Sequence, residues 1–171
     1  ATITLTVSDG TASSTDTFVL TVNAVNDAPT ISDVNSLSTN EDTATGELAV
    51  TLGDEETAVA DLTLSAISSA QGLVPDANIV LGGSGANRTV TVTPTSNQNG
   101  SATITLTVSD GTASSTDTFV LTVNAVNDAP TISDVANQVT NEDTATSALA
   151  VTLEDVDAND LTLSASSSAQ G

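Results

Sequence analysis

Acidic and amide oxygens are the groups that could do chemistry in this chain. It carries 22 Asp and Glu against a single base, Arg88, and has no His or Cys. The acids and asparagines cluster. Val25-Asn26-Asp27-Ala28-Pro29 returns intact as Val126-Asn127-Asp128-Ala129-Pro130, and each copy sets an amide and a carboxylate side by side before a proline. Further acids stand at Glu41, at Asp54, Glu56 and Asp61, at Asp110, and at Asp155, Asp157 and Asp160. Carboxylates brought within a few ångströms repel one another, so either a cation fills the space or some of them take up protons. At neutral pH a hard cation is the better fit. Ca²⁺ accepts about six to eight oxygen ligands in a tolerant geometry, whereas Mg²⁺ demands a stricter octahedron. Without His or Cys, zinc, copper and iron are poorly served. The plainer alternative is that Asp and Asn sit in β-turns for the sake of turn geometry. For Asp9-Gly10 and Asp76 that alternative is at least as good.

The elements that must position these groups are set by a repeat. Residues 1–34 recur letter for letter as residues 102–135, and Asp61-Leu62-Thr63-Leu64-Ser65-Ala66 recurs as Asp160-Leu161-Thr162-Leu163-Ser164-Ala165, with two residues fewer in the intervening loop. A period of about 100 residues suits a β-sandwich domain and exceeds that of a solenoid. Within a period, apolar residues alternate with Thr and Ser, and the residue types favour strands over helix interiors. Ile3, Leu5 and Val7 share one face, Asp9-Gly10 turns the chain, and Phe18, Leu20 and Val22 line the returning strand. Each proline after an alternating run ends a strand, since it offers no N–H and holds its predecessor extended.

Seven strands are predicted between the connectors, with Gly82-Gly83-Ser84-Gly85 and Asn97-Gln98-Asn99-Gly100 as turns. The fold class is thus all-β, a tandem of seven-stranded Greek-key sandwiches. Residues 1–27 read as the last two strands of one repeat, 28–128 as a complete sandwich, and 129–171 as the first three strands of the next. The predicted core is Leu48, Val50, Leu52, Leu62, Leu64, Val90, Val92, Ile104, Leu106, Phe119 and Leu121.

If consecutive loops fall at alternate ends of the sandwich, the acids sort by end. Asp54, Glu56, Asp61 and Asp110 lie at the end near the first connector, Asn26-Asp27. Glu41, Asn97 and Asn99 lie at the other end with Asn127-Asp128, facing Asp155, Asp157 and Asp160 of the following repeat. Carboxylates remote in sequence converge at the joints.

A net charge of −21 repels nucleic acid and anionic membranes, which are bound through Lys and Arg. The apolar residues are too scattered for a membrane span, so no direct membrane insertion is expected. The chain starts in mid-pattern, as a window on a longer protein would. An acidic, nearly base-free surface inclines toward an extracellular, cation-rich setting. Arg88 is expected to balance a nearby acid, and Phe18 and Phe119 to be core residues.

The residues resemble the cadherin-like and immunoglobulin-like repeats found in tandem in large bacterial surface adhesins. The resemblance rests on Glu41 and Glu142 after the first strand, Asp155-Val156-Asp157 after the second, Asp9 and Asp110 each followed by Gly, and the linkers Asn26-Asp27 and Asn127-Asp128. It implies calcium held between domains, stiffening a rod on the bacterial cell surface, with neighbouring repeats or adjoining copies as partners. Asn97-Gln98-Asn99 has no acid where animal cadherins have one, which implies fewer ions per joint. Asp54-Glu55-Glu56 departs from Asp-x-Asp, so tighter binding is expected at the second joint. The first functional reading is therefore a structural stalk. The second is a module that binds a glycan, ice or a partner, and the scarcity of aromatic residues, 1% of the chain, counts against a glycan. A glycosidase built on paired carboxylates is the third reading. It is disfavoured because the acids recur in loops of successive copies, so no enzyme is expected.

Overall fold

The computed structural model describes residues 1–157 and 160–169. Ala158 and Asn159 of the last acidic loop, and the final two residues of the segment 129–171, lie outside them. The strands in chain order are β1 (Thr2–Ser8), β2 (Ser13–Val19), β3 (Thr30–Ile31), β4 (Leu37–Asn40), β5 (Leu48–Gly53) and β6 (Thr63–Ser68). A 3₁₀ turn over Asp76–Asn78 leads to β7 (Ile79–Ser84), β8 (Asn87–Val92), β9 (Gly100–Ser109), β10 (Ser114–Asn124), β11 (Thr131–Ile132) and β12 (Leu153–Glu154).

Strands β3 to β10 make an immunoglobulin-like sandwich of two four-stranded sheets, ordered β4-β10-β9-β6 and β3-β5-β8-β7. The first of the seven expected strands divides in two. Its β3 part pairs antiparallel with β5, and its β4 part crosses to the other sheet and pairs parallel with β10. Alternation decides the register. Along β9, every second residue from Ala102 to Val108 is buried, and a slip of one residue would turn that set to solvent. Each residue of the core expected for the sandwich is either buried or, for Leu48 and Leu64, packed against the core, whereas Phe18, also expected in a core, is 48% exposed, because no second sheet covers β1-β2. Burying such a side chain fully is worth about 1.5–3 kcal/mol. Val74, Ile79, Ala102, Val108 and Val123 complete the core.

Two details differ from the sequence reading. Gly82 and Gly83 lie inside β7, and the hairpin turns beyond them, between Ser84 and Asn87. Gly83 has φ of +78°, and a Cβ there would stand 2.3 Å from the Asn87 carbonyl oxygen, so glycine is needed for the close approach of β8. Arg88, expected to balance an acid, instead donates from Nε to the Gly85 carbonyl (2.9 Å) and from Nη2 to that of Leu62 (3.4 Å).

The hairpin β1-β2 repeats β9-β10 in sequence and in pairing: Ile3 lies opposite Phe18 as Ile104 lies opposite Phe119. Its burial is different, for Leu5, Phe18 and Leu20 are about half exposed while Leu106, Phe119 and Leu121 are covered. The strand and turn are thus local properties of the sequence, and burial is conferred by neighbours. Strands β11 and β12 pair as β3 and β5 do.

Candidate cation sites at the two connectors

The first connector meets the sandwich at the β5-β6 and β9-β10 loops. The turn Asp110-Gly111 is tied by its own carboxylate, which accepts from the N–H groups of Thr112 and Ala113 (both 2.6 Å). The other Asp110 oxygen accepts from Asn26 Nδ2 at 2.9 Å. The N–H of Ala113, the Asn26 amide and the N–H of Thr112 together hold Asp110 below the ordinary carboxylate pKa. The Asp27 N–H donates to Glu56 Oε2 (3.2 Å), and Asp54 Oδ1 accepts from the N–H groups of Glu56 (2.9 Å) and Thr57 (2.6 Å). Asp54 thus shapes its own loop and aims Glu56 at the connector.

The second connector repeats this clamp. Asp128 N–H donates to Asp157 Oδ2, and the Asp157 N–H donates to Asp155 Oδ1 (2.8 Å). Asp54-Glu55-Glu56 therefore does the structural work of Asp155-Val156-Asp157, with Glu56 in the place of Asp157. In hydrogen bonding, the Glu-Glu pair keeps the clamp despite its departure from Asp-x-Asp. Main-chain direction is what matters, and the longer Glu side chain still reaches the connector N–H. The two-residue difference in loop length falls after Glu56.

Beneath the second connector lies the far end of the sandwich. Glu41 is buried at the β4 corner, and its Oε1 accepts from Val126 N–H at 2.6 Å while its own N–H donates to the Asn124 carbonyl. Asp42 follows with φ of 58°, a left-handed corner that Asp tolerates, and Asp42 Oδ1 accepts from Asn97 N–H. With its amide turned to donate, Asn97 bridges Asp128 Oδ2 (3.2 Å) and Asp42 Oδ2 (3.3 Å). Asp128 is pushed above the ordinary carboxylate pKa, first by desolvation and then by the charges of Asp157, Asp42, Glu41 and Asp155. Beside Asp128 opens a cavity of about 550 Å³, lined by the carboxylates of Asp128, Glu154 and Asp155 from the connector and the segment after it, with Asn97 from the sandwich.

The sequence-derived candidates do not all converge. Asp61 is exposed at the far side of its loop, its N–H turned to the Ala58 carbonyl. Asn127 spends its amide on the Asp128 carbonyl. Asp160 is exposed. Glu55 was not a candidate, yet Asp27, Glu55 and Glu56 bring carboxylate oxygens within 4.8 Å of one another. The Asp-Glu-Glu run was itself the signal for it.

Whether these residues suit a hard cation can be judged at Asp54. Its Oδ2 is shielded from solvent and has no hydrogen-bond partner, and the side chain lines a hollow with Asp27 and Glu55. A shielded, unpartnered carboxylate oxygen is costly unless a cation or a proton meets it. The surrounding donors are all oxygen, the set that calcium takes. The residues fit.

Residues 26–124 match the family model described as bacterial Ig domain. No curated protein matches the chain. Among solved structures, the chain is similar to a chimeric titin Z1Z2 functionalised with a decorin peptide, with 18% identity over 60% of this chain and 100% of that one, at a TM-score of 0.45. It is also similar to an endo-fucoidan hydrolase of glycoside hydrolase family 107, with 24% identity over 73% of this chain and 18% of that one, at a TM-score of 0.43. These likenesses are of fold and say nothing of activity.

Proposed function

The chain belongs to the bacterial Ig-domain family, and from that premise we propose that it is an extender segment of an extracellular stalk or fibre, held straight at its joints by calcium. Ig-like families are typically non-enzymatic, and bacterial Ig domains are often surface or extracellular modules. No helix among the described residues is long and apolar enough to cross a membrane. The observation that carries the reading is the clamp repeated at both connectors, Asp27 on Glu56 and Asp128 on Asp157. A device that recurs wherever one module meets the next concerns the geometry between modules, whereas a binding or catalytic site needs to occur once.

In this reading the residues divide the work. Asp54 and Asp155 fold their loops so that Glu56 and Asp157 reach the connectors. Glu41 anchors the exit of β10 by holding Val126. Bound among these carboxylates, Ca²⁺ would neutralise their repulsion and cross-link connector to loop. Glu55, Asp27 and Asp54 would hold it at the first joint; Asp128, Asp155, Asp157 and Asp42 at the second.

Small-angle scattering tests this directly. With calcium in the millimolar range, where extracellular modules bind at about 10⁻⁴ to 10⁻³ M, the maximum dimension is expected to be greater and the flexibility smaller than in chelator. An identical profile in the two conditions would overturn the stalk reading.

The second reading, a binding module, gains one observation. On the outward face of β9 and β10, Thr107 lies opposite Thr116 and Thr105 opposite Thr118, with Ser65 of β6 beside Thr107. An ordered row of hydroxyls and methyls of this kind is what ice binding would use, and a freezing-point hysteresis measured on the chain would favour that reading over the stalk.

A further inference from the structure

Asn97 stands among the carboxylates of the second joint without being one. The turn between β8 and β9 that carries it reads Asn97-Gln98-Asn99, three amides and no acid. The charges of Asp157, Asp42, Glu41 and Asp155 are all felt at Asp128. An amide adds nothing to that repulsion, and its NH₂ offers two donors, enough to serve two carboxylates at once.

The geometry uses both donors. Asn97 Nδ2 meets Asp128 Oδ2 at 3.2 Å and Asp42 Oδ2 at 3.3 Å, whereas the opposite orientation would set the amide oxygen against the same two carboxylates. The side chain is also aimed by its own turn. Asn97 has φ of 55°, a left-handed conformation that Asn tolerates, and its N–H donates to Asp42 Oδ1 at 3.1 Å. Asp42 thus takes the main-chain N–H on one oxygen and the side-chain amide on the other, which points the amide at the connector.

Asp128 is held from both directions. Its carboxylate accepts from Asn97 of the sandwich, and its N–H donates to Asp157 of the following segment. Glu41 fixes the main chain only as far as Val126, and Asn97 reaches beyond it to Asp128. The path Asp42–Asn97–Asp128–Asp157 therefore crosses the joint on hydrogen bonds. The first joint has a bond of the same kind with the roles exchanged, where Asn26 Nδ2 of the connector donates to Asp110 Oδ2 of the sandwich at 2.9 Å.

We propose that Asn97 is a metal-independent latch, its amide tying Asp128 to the sandwich and keeping the second connector fixed when no cation is bound. A hydrogen bond to an ionised acceptor is stronger than one between neutral groups, which suits a single side chain to that task. The latch stands apart from the calcium reading, since every bond in it forms without an ion.

The chain has no cysteine, so a pair can be introduced for spin labels. Labels at Thr122→Cys on the sandwich and Asp134→Cys beyond the connector, both exposed, report the distribution of distances across the joint. The measurement is made in chelator at neutral pH. Asn97→Gly keeps the left-handed turn and deletes the amide, and Asn97→Asp keeps the shape and replaces the donor by a charge. Each is expected to broaden the distribution at least about twofold, and Asn97→Gly should add no breadth to Asp128→Ala, where the bond is already gone. A control pair inside the sandwich, Ser65→Cys with Thr122→Cys, should keep its width in all of them. An unchanged width across the joint in Asn97→Gly, broadening by Asn97→Gly without broadening by Asn97→Asp, full additional broadening on Asp128→Ala, or equal broadening of the control pair would each overturn the proposal.

Discussion

Phe119→Ala is expected to destabilise the sandwich by about 3–5 kcal/mol, the usual cost of emptying a filled aromatic site. Phe18→Ala is expected to change it by less than about 0.5 kcal/mol. The comparison is sharp because residues 1–34 and 102–135 are identical, so intrinsic propensity, turn chemistry and the cross-strand partner are the same at the two positions. What differs is cover. Phe119 is 1% exposed among Ile104, Leu106 and the facing sheet, whereas Phe18 is 48% exposed. Urea unfolding measures both. The midpoint should move with Phe119→Ala alone, and its slope should stay the same if the unfolding unit is the sandwich. Equal losses at the two positions would mean that the first hairpin is part of the same cooperative unit.

That pair of phenylalanines also shows what can be read from letters and what cannot. Alternation found the inward faces of β5, β8, β9 and β10, because a period of two has one burial solution once a face is covered. It missed Val74, fully buried beside the 3₁₀ turn, because a residue outside a strand leaves no period to detect. It read Gly82 and Gly83 as a turn, since a glycine cluster signals one. In the fold these glycines let β8 approach β7, a packing need with no local signature. At the joints the acids were legible by type and by end. Their grouping was not, because it depends on the clamp from connector N–H to loop carboxylate. Glu55-Glu56 looked like a broken motif for that reason. Asp76 illustrates the opposite case: its carboxylate accepts from Gln71 Nε2 and then from Ser68 N–H (both 2.7 Å), which holds its pKa below the ordinary value and makes it a brace for the crossover loop.

Acid is expected to act in opposite directions on the two joints when calcium is absent. Asp110 has a lowered pKa, so the stability it lends is present above the unfolded value of 3.8 and is lost as pH falls through the lowered value. Protonation there weakens the hold on Asn26, and the first connector loosens. Asp128 has a raised pKa, so its contribution is favourable when it is protonated and is lost as pH rises through the raised value. At neutral pH its charge works against Asp157, Asp42, Glu41 and Asp155, and acidification relieves that repulsion and tightens the second connector. With calcium the second joint reverses, because protons compete with the ion for the same oxygens. Asp128→Asn removes the repulsion and a ligand at once. The calcium-free second joint should then lose its acid response, and calcium affinity there should fall at least about tenfold, as expected when a site's ligand charge count drops. Nuclear magnetic resonance can follow each joint in one titration, through the Asn26 side-chain amide at the first and the Asp128 main-chain amide, donor to Asp157, at the second. If both signals report loosening on acidification in chelator, the crowding at Asp128 does not govern the second joint, and the reason for placing calcium there falls with it.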